Sequence, residues 1–168
     1  MIKHTIAAGA VVGLVAGGLL VTSGTAGASP SDQPCGIADV HIAVTRDSTV
    51  SAGQEGYAIT YTAASPTTNC KLEGIPTAVT FMTGHNTAVN VTVVPDAPAA
   101  TPATVNLTAT HPAVSYLLQE AAAPVTAVPS ALNLNLPSAQ AFSTTVEWPE
   151  GAPLKGDVVE VTAVAPAA

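Results

Sequence analysis

Leu132-Asn133-Leu134-Asn135-Leu136 is the stretch on which the reading of this chain turns. Leucine at every second position, with asparagine between, gives an extended backbone one apolar and one polar side, because successive strand side chains point to opposite faces. Pro137-Ser138 then closes the run with turn chemistry.

The same period of two recurs in both directions. Upstream, Val40, Ile42 and Val44 alternate with polar or small neighbours, as do Tyr57, Ile59 and Tyr61. Val79 and Phe81 follow Pro76, then come Val89, Val91 and Val93, and Val105 and Leu107. Downstream, Phe142, Val146 and Trp148 share a face, and Val159, Val161 and Ala163 end the pattern. Turns fall between the runs at Ser51-Ala52-Gly53, Ser65-Pro66-Thr67, Gly84-His85-Asn86 and Pro149-Glu150-Gly151. Residues 113–123 combine strand alternation at Val114, Tyr116 and Leu118 with helix-favouring Leu, Gln, Glu and Ala, and the alternation favours a strand over the first half. The Ala/Pro-rich residues 95–102 read as a loop. Eight or nine short strands with turns between them, and no βαβ rhythm, predict an all-β antiparallel sandwich.

The first 28 residues read differently. Lys3 and His4 precede an uncharged Ala/Val/Leu/Gly run over 5–21, and Ala26-Gly27-Ala28 supplies an A-x-A cleavage site. The pattern predicts a cleavable secretory signal over 1–28, a short lead-in over 29–36 and one sandwich domain over 37–168. The run is diluted by Gly and Ala and lacks a basic stop-transfer flank, unlike a spanning helix. Cys35 lies too far behind it for lipid attachment. The expected product is secreted, either extracellular or loosely held at the cell envelope, with no membrane insertion after cleavage.

Without Lys3 the chain keeps Arg46, Lys71 and Lys155 against eleven acidic residues, a net charge of −8 (3 − 11). Nucleic-acid binding, which needs clustered cations on phosphates, is therefore not expected. Two cysteines remain, Cys35 and Cys70, and in an oxidising compartment the simplest reading is one disulfide. On the chain-entropy account, closing that loop contributes roughly 3–4 kcal/mol. Two thiols without a neighbouring His or Cys do not make a metal site.

Asn69-Cys70-Lys71-Leu72-Glu73-Gly74-Ile75-Pro76 is the most distinctive segment. It resembles the Cys-x-Leu-x-Gly-(aromatic or aliphatic)-Pro signature of an actinobacterial secreted family, the domain of unknown function 4232. Cys35-Gly36-Ile37-Ala38-Asp39-Val40 is similar to that family's opening, Gly56-Tyr57-Ala58-Ile59-Thr60-Tyr61 to its second strand, and residues 142–148 to a late strand. The chain departs from it in lacking a further cysteine after residue 113, and His111-Pro112-Ala113 replaces a Gly-rich turn. The resemblance implies an exported immunoglobulin-like sandwich, often envelope-attached, and brings no catalytic residues. Independently of it, Gly74 suits a backbone geometry other residues resist, Pro76 sets the entry to the next strand, and Leu72 belongs to the same structural segment.

Chemistry is sparse. There is no nucleophile elbow, HExxH, phosphate loop or dinucleotide fingerprint. Asp39 and His41 would share a strand face, read as a solvated pair. Glu147, Glu150, Asp157 and Glu160 read as one acidic edge that discourages strand-on-strand association. Met82, His85 and His111 offer a soft ligand set, but Met82 is the one methionine left after cleavage and cannot complete a Cu(I) site. The sequons at Asn90 and Asn106 fall inside expected strands and read as chance. No catalytic, cofactor or metal residue is assigned. The expected role is a non-enzymatic interaction module for an extracellular protein or cell-wall component. The alternatives are a small-ligand or inhibitor-like binder using loops 95–102 or 119–130 and, more remotely, a hydrolase.

Overall fold

The computed structural model describes residues 31–48, 53–96, 104–140 and 142–168. The signal expected over 1–28 and most of the expected 95–102 loop lie outside the described residues. Fourteen strands are found among them: β1 (Val40–Asp47), β2 (Gln54–Ala63), β3 (Asn69–Glu73), β4 (Thr77–Thr83), β5 (Thr87–Ala88), β6 (Thr92–Pro95) and β7 (Thr104–Thr108), followed by β8 (Ala113–Glu120), β9 (Val125–Ala127), β10 (Ala131–Asn135), β11 (Ser143–Glu147), β12 (Leu154–Lys155), β13 (Val158–Val161) and β14 (Ala165–Pro166). The number exceeds the eight or nine expected because several are pieces of two or three residues, too short to show alternation. The helix alternative for 113–123 fails: β8 is extended throughout, its odd-numbered residues Ala113, Ser115, Leu117 and Gln119 all buried.

The architecture is an all-β sandwich. One sheet runs β1-β2-β8-β13-β6, with β14 also on β8, and the other runs β11-β10-β4-β5. Two smaller ladders, β3–β7 and β9–β12, complete it. All pairs but one are antiparallel. The exception, β6 beside β13, is parallel, which a hairpin cannot produce but a long intervening chain can.

Tyr57, Ile59, Tyr61, Leu117 and Val159 face inward from the first sheet, and Phe81, Leu132 and Leu134 from the second. The leucines of the opening stretch are enclosed in the core between the layers. Leu132 and Leu134 lie on β10, which is paired on both sides to β4 and β11, and Leu136 follows just past its end. Their asparagine neighbours turn outward, and Asn133 accepts a 2.7 Å hydrogen bond from the Thr145 hydroxyl. Trp148 joins the layers, with its ring centroid 4.3 Å from Tyr57 and 5.3 Å, edge-on, from Phe81. Its indole N–H is satisfied by the Ala152 carbonyl at 3.0 Å.

The Cys70 segment is itself a strand. β3 pairs with β7, Cys70 opposite Leu107 and Leu72 opposite Val105. Cys35 and Cys70 form the disulfide, Cα atoms 4.9 Å apart. The bridge ties β3 to the lead-in, where Lys71 N–H donates to Gln33 O at 2.7 Å and Cys35 N–H to Lys71 O at 3.0 Å. Gly74 ends the strand at φ +88°, a region costly for residues bearing a Cβ. That bend turns its carbonyl to the Val164 N–H at 2.8 Å, and buried Pro76 leads into β4.

Candidate functional site

The two outermost strands on one side of the sandwich, β1 and β11, have one ladder partner each. The bonds at their ladder ends identify which backbone groups point away. In an antiparallel pair, directly opposed residues alternate between bonded and unbonded. Ala64 N–H donates to Asp39 O at 2.9 Å, so with the β1–β2 register the bonded members are His41, Ala43 and Thr45. The N–H and C=O of Ile42, Val44 and Arg46 therefore face the open edge. On β11, Trp148 N–H donates to Ser130 O and Leu136 N–H to Phe142 O, both at 3.0 Å. Thr144 and Val146 are then bonded to β10, leaving the main-chain groups of Ser143, Thr145 and Glu147 directed outward.

Between these edges lies a groove of about 610 Å³, lined by Ile37, residues 40–44 and residues 144–150. The inward positions Ile42, Thr144 and Val146 are half-buried, so part of their surface floors the groove. His41, Glu147 and Glu150 are exposed along it. The result is a slot floored by Ile42, Thr144 and Val146, with an acidic rim and two strips of main-chain donors and acceptors.

A second polar centre is structural. Glu55 stands in phase with Tyr57, Ile59 and Tyr61, so its carboxylate enters the protein rather than water. Its Oε1 pairs with Arg46 and its Oε2 with Lys155 Nζ at 2.7 Å. Burial pushes the Glu55 pKa up, but the hydrogen bond from Lys155 and the charges of Arg46 and Lys155 outweigh it and hold it below the ordinary value. Lys155 also donates from Nζ to Ala121 O at 2.9 Å and from its backbone N–H to Gln119 Oε1 at 2.9 Å. Gln119 Nε2 and the Tyr57 hydroxyl both donate to Pro153 O, at 3.1 and 2.7 Å. Burial, with the Glu55 charge, raises the Tyr57 pKa to about 12, so it remains a neutral donor. Reading by composition missed this cluster. The available signal was a Glu placed at the inward phase of β2.

The expected pairings fare unevenly. Asp39 and His41 do not share a strand face: Asp39 ends a 3-10 turn over Ile37–Asp39, and its carboxylate accepts the Gly36 N–H at 2.9 Å. The four acids do not form one edge. Glu147 and Glu150 line the β1/β11 groove, whereas Asp157 and Glu160 line another beside Lys155. His111 sits at the β7–β8 turn, its Nδ1 3.0 Å from the Thr108 and Thr110 hydroxyls. Residues 119–130 are not a free loop, because β8 takes the first two and β9 pairs with β12. Asn90 lies between strands and is exposed, while Asn106, in β7, accepts the Ser31 N–H at 2.9 Å. Among the described residues no three His, Cys, Asp or Glu side chains gather as a metal-binding group, and no helix is long and apolar enough to cross a membrane. Comparison with protein-family models, curated proteins and solved structures gives no match.

Proposed function

We propose that this chain is an exported, non-enzymatic β-sandwich module that binds a protein or cell-wall component outside the cell. The observation that carries the reading is the pair of open strand edges, β1 and β11, flanking one groove. Unpaired edges are a liability that proteins usually blunt, and are also the surface to which extended partners add. Export is supported by the charge, hydropathy and A-x-A pattern over 1–28 and by the Cys35–Cys70 bridge, which suits an oxidising compartment. The resemblance to the domain of unknown function 4232 agrees with an envelope location and rests on the Cys70 segment.

The test is to secrete the full chain, confirm Ser29 as the mature N-terminus, and pass cell-wall fractions and secreted proteins over the immobilised product. A photoreactive residue replacing Ala43 should cross-link the retained partner, and one replacing Thr110, away from the groove, should not. Passage of every fraction unbound, or cross-linking from position 110 alone, contradicts the reading.

A further inference from the structure

The pattern of open backbone groups on β11, together with the charges beside it, specifies a partner class. We propose that the groove takes an extended peptide laid along β11, with a basic residue opposite Glu147 and β-branched apolar ones opposite Thr144 and Val146. This inference rests on the reading above of the chain as an extracellular binding module.

The outward main-chain groups of Ser143, Thr145 and Glu147 are those a further strand would bond. Side chains of directly opposed residues project on the same face, with Cβ atoms about 4.5–5.5 Å apart. A peptide residue opposite Glu147 thus presents its side chain beside an exposed carboxylate, and Glu150 supplies a second acid just beyond the strand. Lysine or arginine satisfies that position. Residues opposite Thr144 and Val146 turn the other way, over the half-buried floor formed with Ile42, where Val or Ile fits a pleated surface.

Charge selects among occupants. A second copy of a chain with net charge −8 (3 − 11) meets this acidic rim with repulsion, and an acidic or phosphorylated strand does the same. The two cations nearest in sequence to these edges do not neutralise the rim, because Arg46 and Lys155 are both paired to Glu55.

Anisotropy titration of the intact mature protein with a labelled, capped octapeptide of alternating lysine and valine tests the proposal. Saturable binding is expected, together with much weaker binding of the glutamate/valine counterpart. Glu147→Lys replaces attraction by repulsion and should weaken binding about fivefold or more. Thr145→Pro removes an outward N–H while leaving the main-chain bonds to β10, and should abolish it. A lysine/valine peptide N-methylated at alternate residues reports the same loss from the ligand side, and decides the matter if Thr145→Pro does not fold. No saturable binding at millimolar peptide, or binding indifferent to N-methylation and to Glu147→Lys, overturns the proposal. Retention of a wall or protein partner with failure of the peptide would sink this inference and leave the module reading standing. Peptide binding with no retained partner would do the reverse.

Discussion

At Glu55 the chain turns a carboxylate toward its interior and then brings two of its few cations to hold it ionised. Removing the charge leaves Lys155, itself mostly buried, with the Ala121 carbonyl but without the Glu55 counter-charge. Glu55→Gln should therefore cost about 2–3 kcal/mol, the Arg46 half being discounted because that guanidinium is largely in water. The pH dependence has a defined sign. The folded-state pKa of Glu55 lies below the unfolded value near 4.5, so its contribution is complete above that value and is lost as pH falls through the folded one. Urea melts at pH 7 and near pH 3 should show the gap between wild type and Glu55→Gln closing at the lower pH. A gap that persists there would mean the substitution acts through packing. Tyr61 and Ser115, buried side by side, show a different arrangement: burial raises the Tyr61 pKa and the Ser115 hydroxyl partly offsets it.

Elements differ in how plainly the sequence announces them. The alternating runs that became β1, β2 and β10 are legible because each keeps one face in the core for five residues or more. β8 is reached through Val114, Tyr116 and Leu118, although its fully enclosed phase is Ala113, Ser115, Leu117 and Gln119. β9, β12 and β14 have two or three residues and partners distant in sequence, and β5 is a two-residue return onto β4, so local periodicity defines none of them. The parallel β6–β13 pair is invisible for the same reason. The disulfide was legible from two cysteines and the export pattern expected over 1–28. The β1/β11 groove was not, since Glu147 and His41 meet there only through the stacking of two sheets. For β11 the ladder makes a direct prediction. Thr144→Pro removes the N–H bonded to Leu134 and should cost about 3 kcal/mol or more. Thr145→Pro, one residue on, loses an outward N–H and the side-chain bond to Asn133, and should cost about 1 kcal/mol. Equal melting temperatures for the two variants would contradict the assigned register.

Across the whole molecule, the Cys35–Cys70 bridge and the Trp148 contacts hold the parts that the ladders alone leave apart. The lead-in meets β3 through two backbone hydrogen bonds and the disulfide. Paired Cys35→Ser and Cys70→Ser substitutions should lower stability by roughly 3–4 kcal/mol, read from denaturant midpoints against the oxidised protein. A change under 1 kcal/mol would show that the core carries the fold without it. The functional account depends on a different property, the openness of one side of the sandwich. Residue-resolved amide hydrogen exchange of the free protein measures that most directly. The account predicts fast exchange at Ile42, Val44, Thr145 and Glu147, alternating with slow exchange at Ala43, Thr144 and Val146. Slow exchange at all seven would show the edges already covered, and would contradict a groove open to a partner.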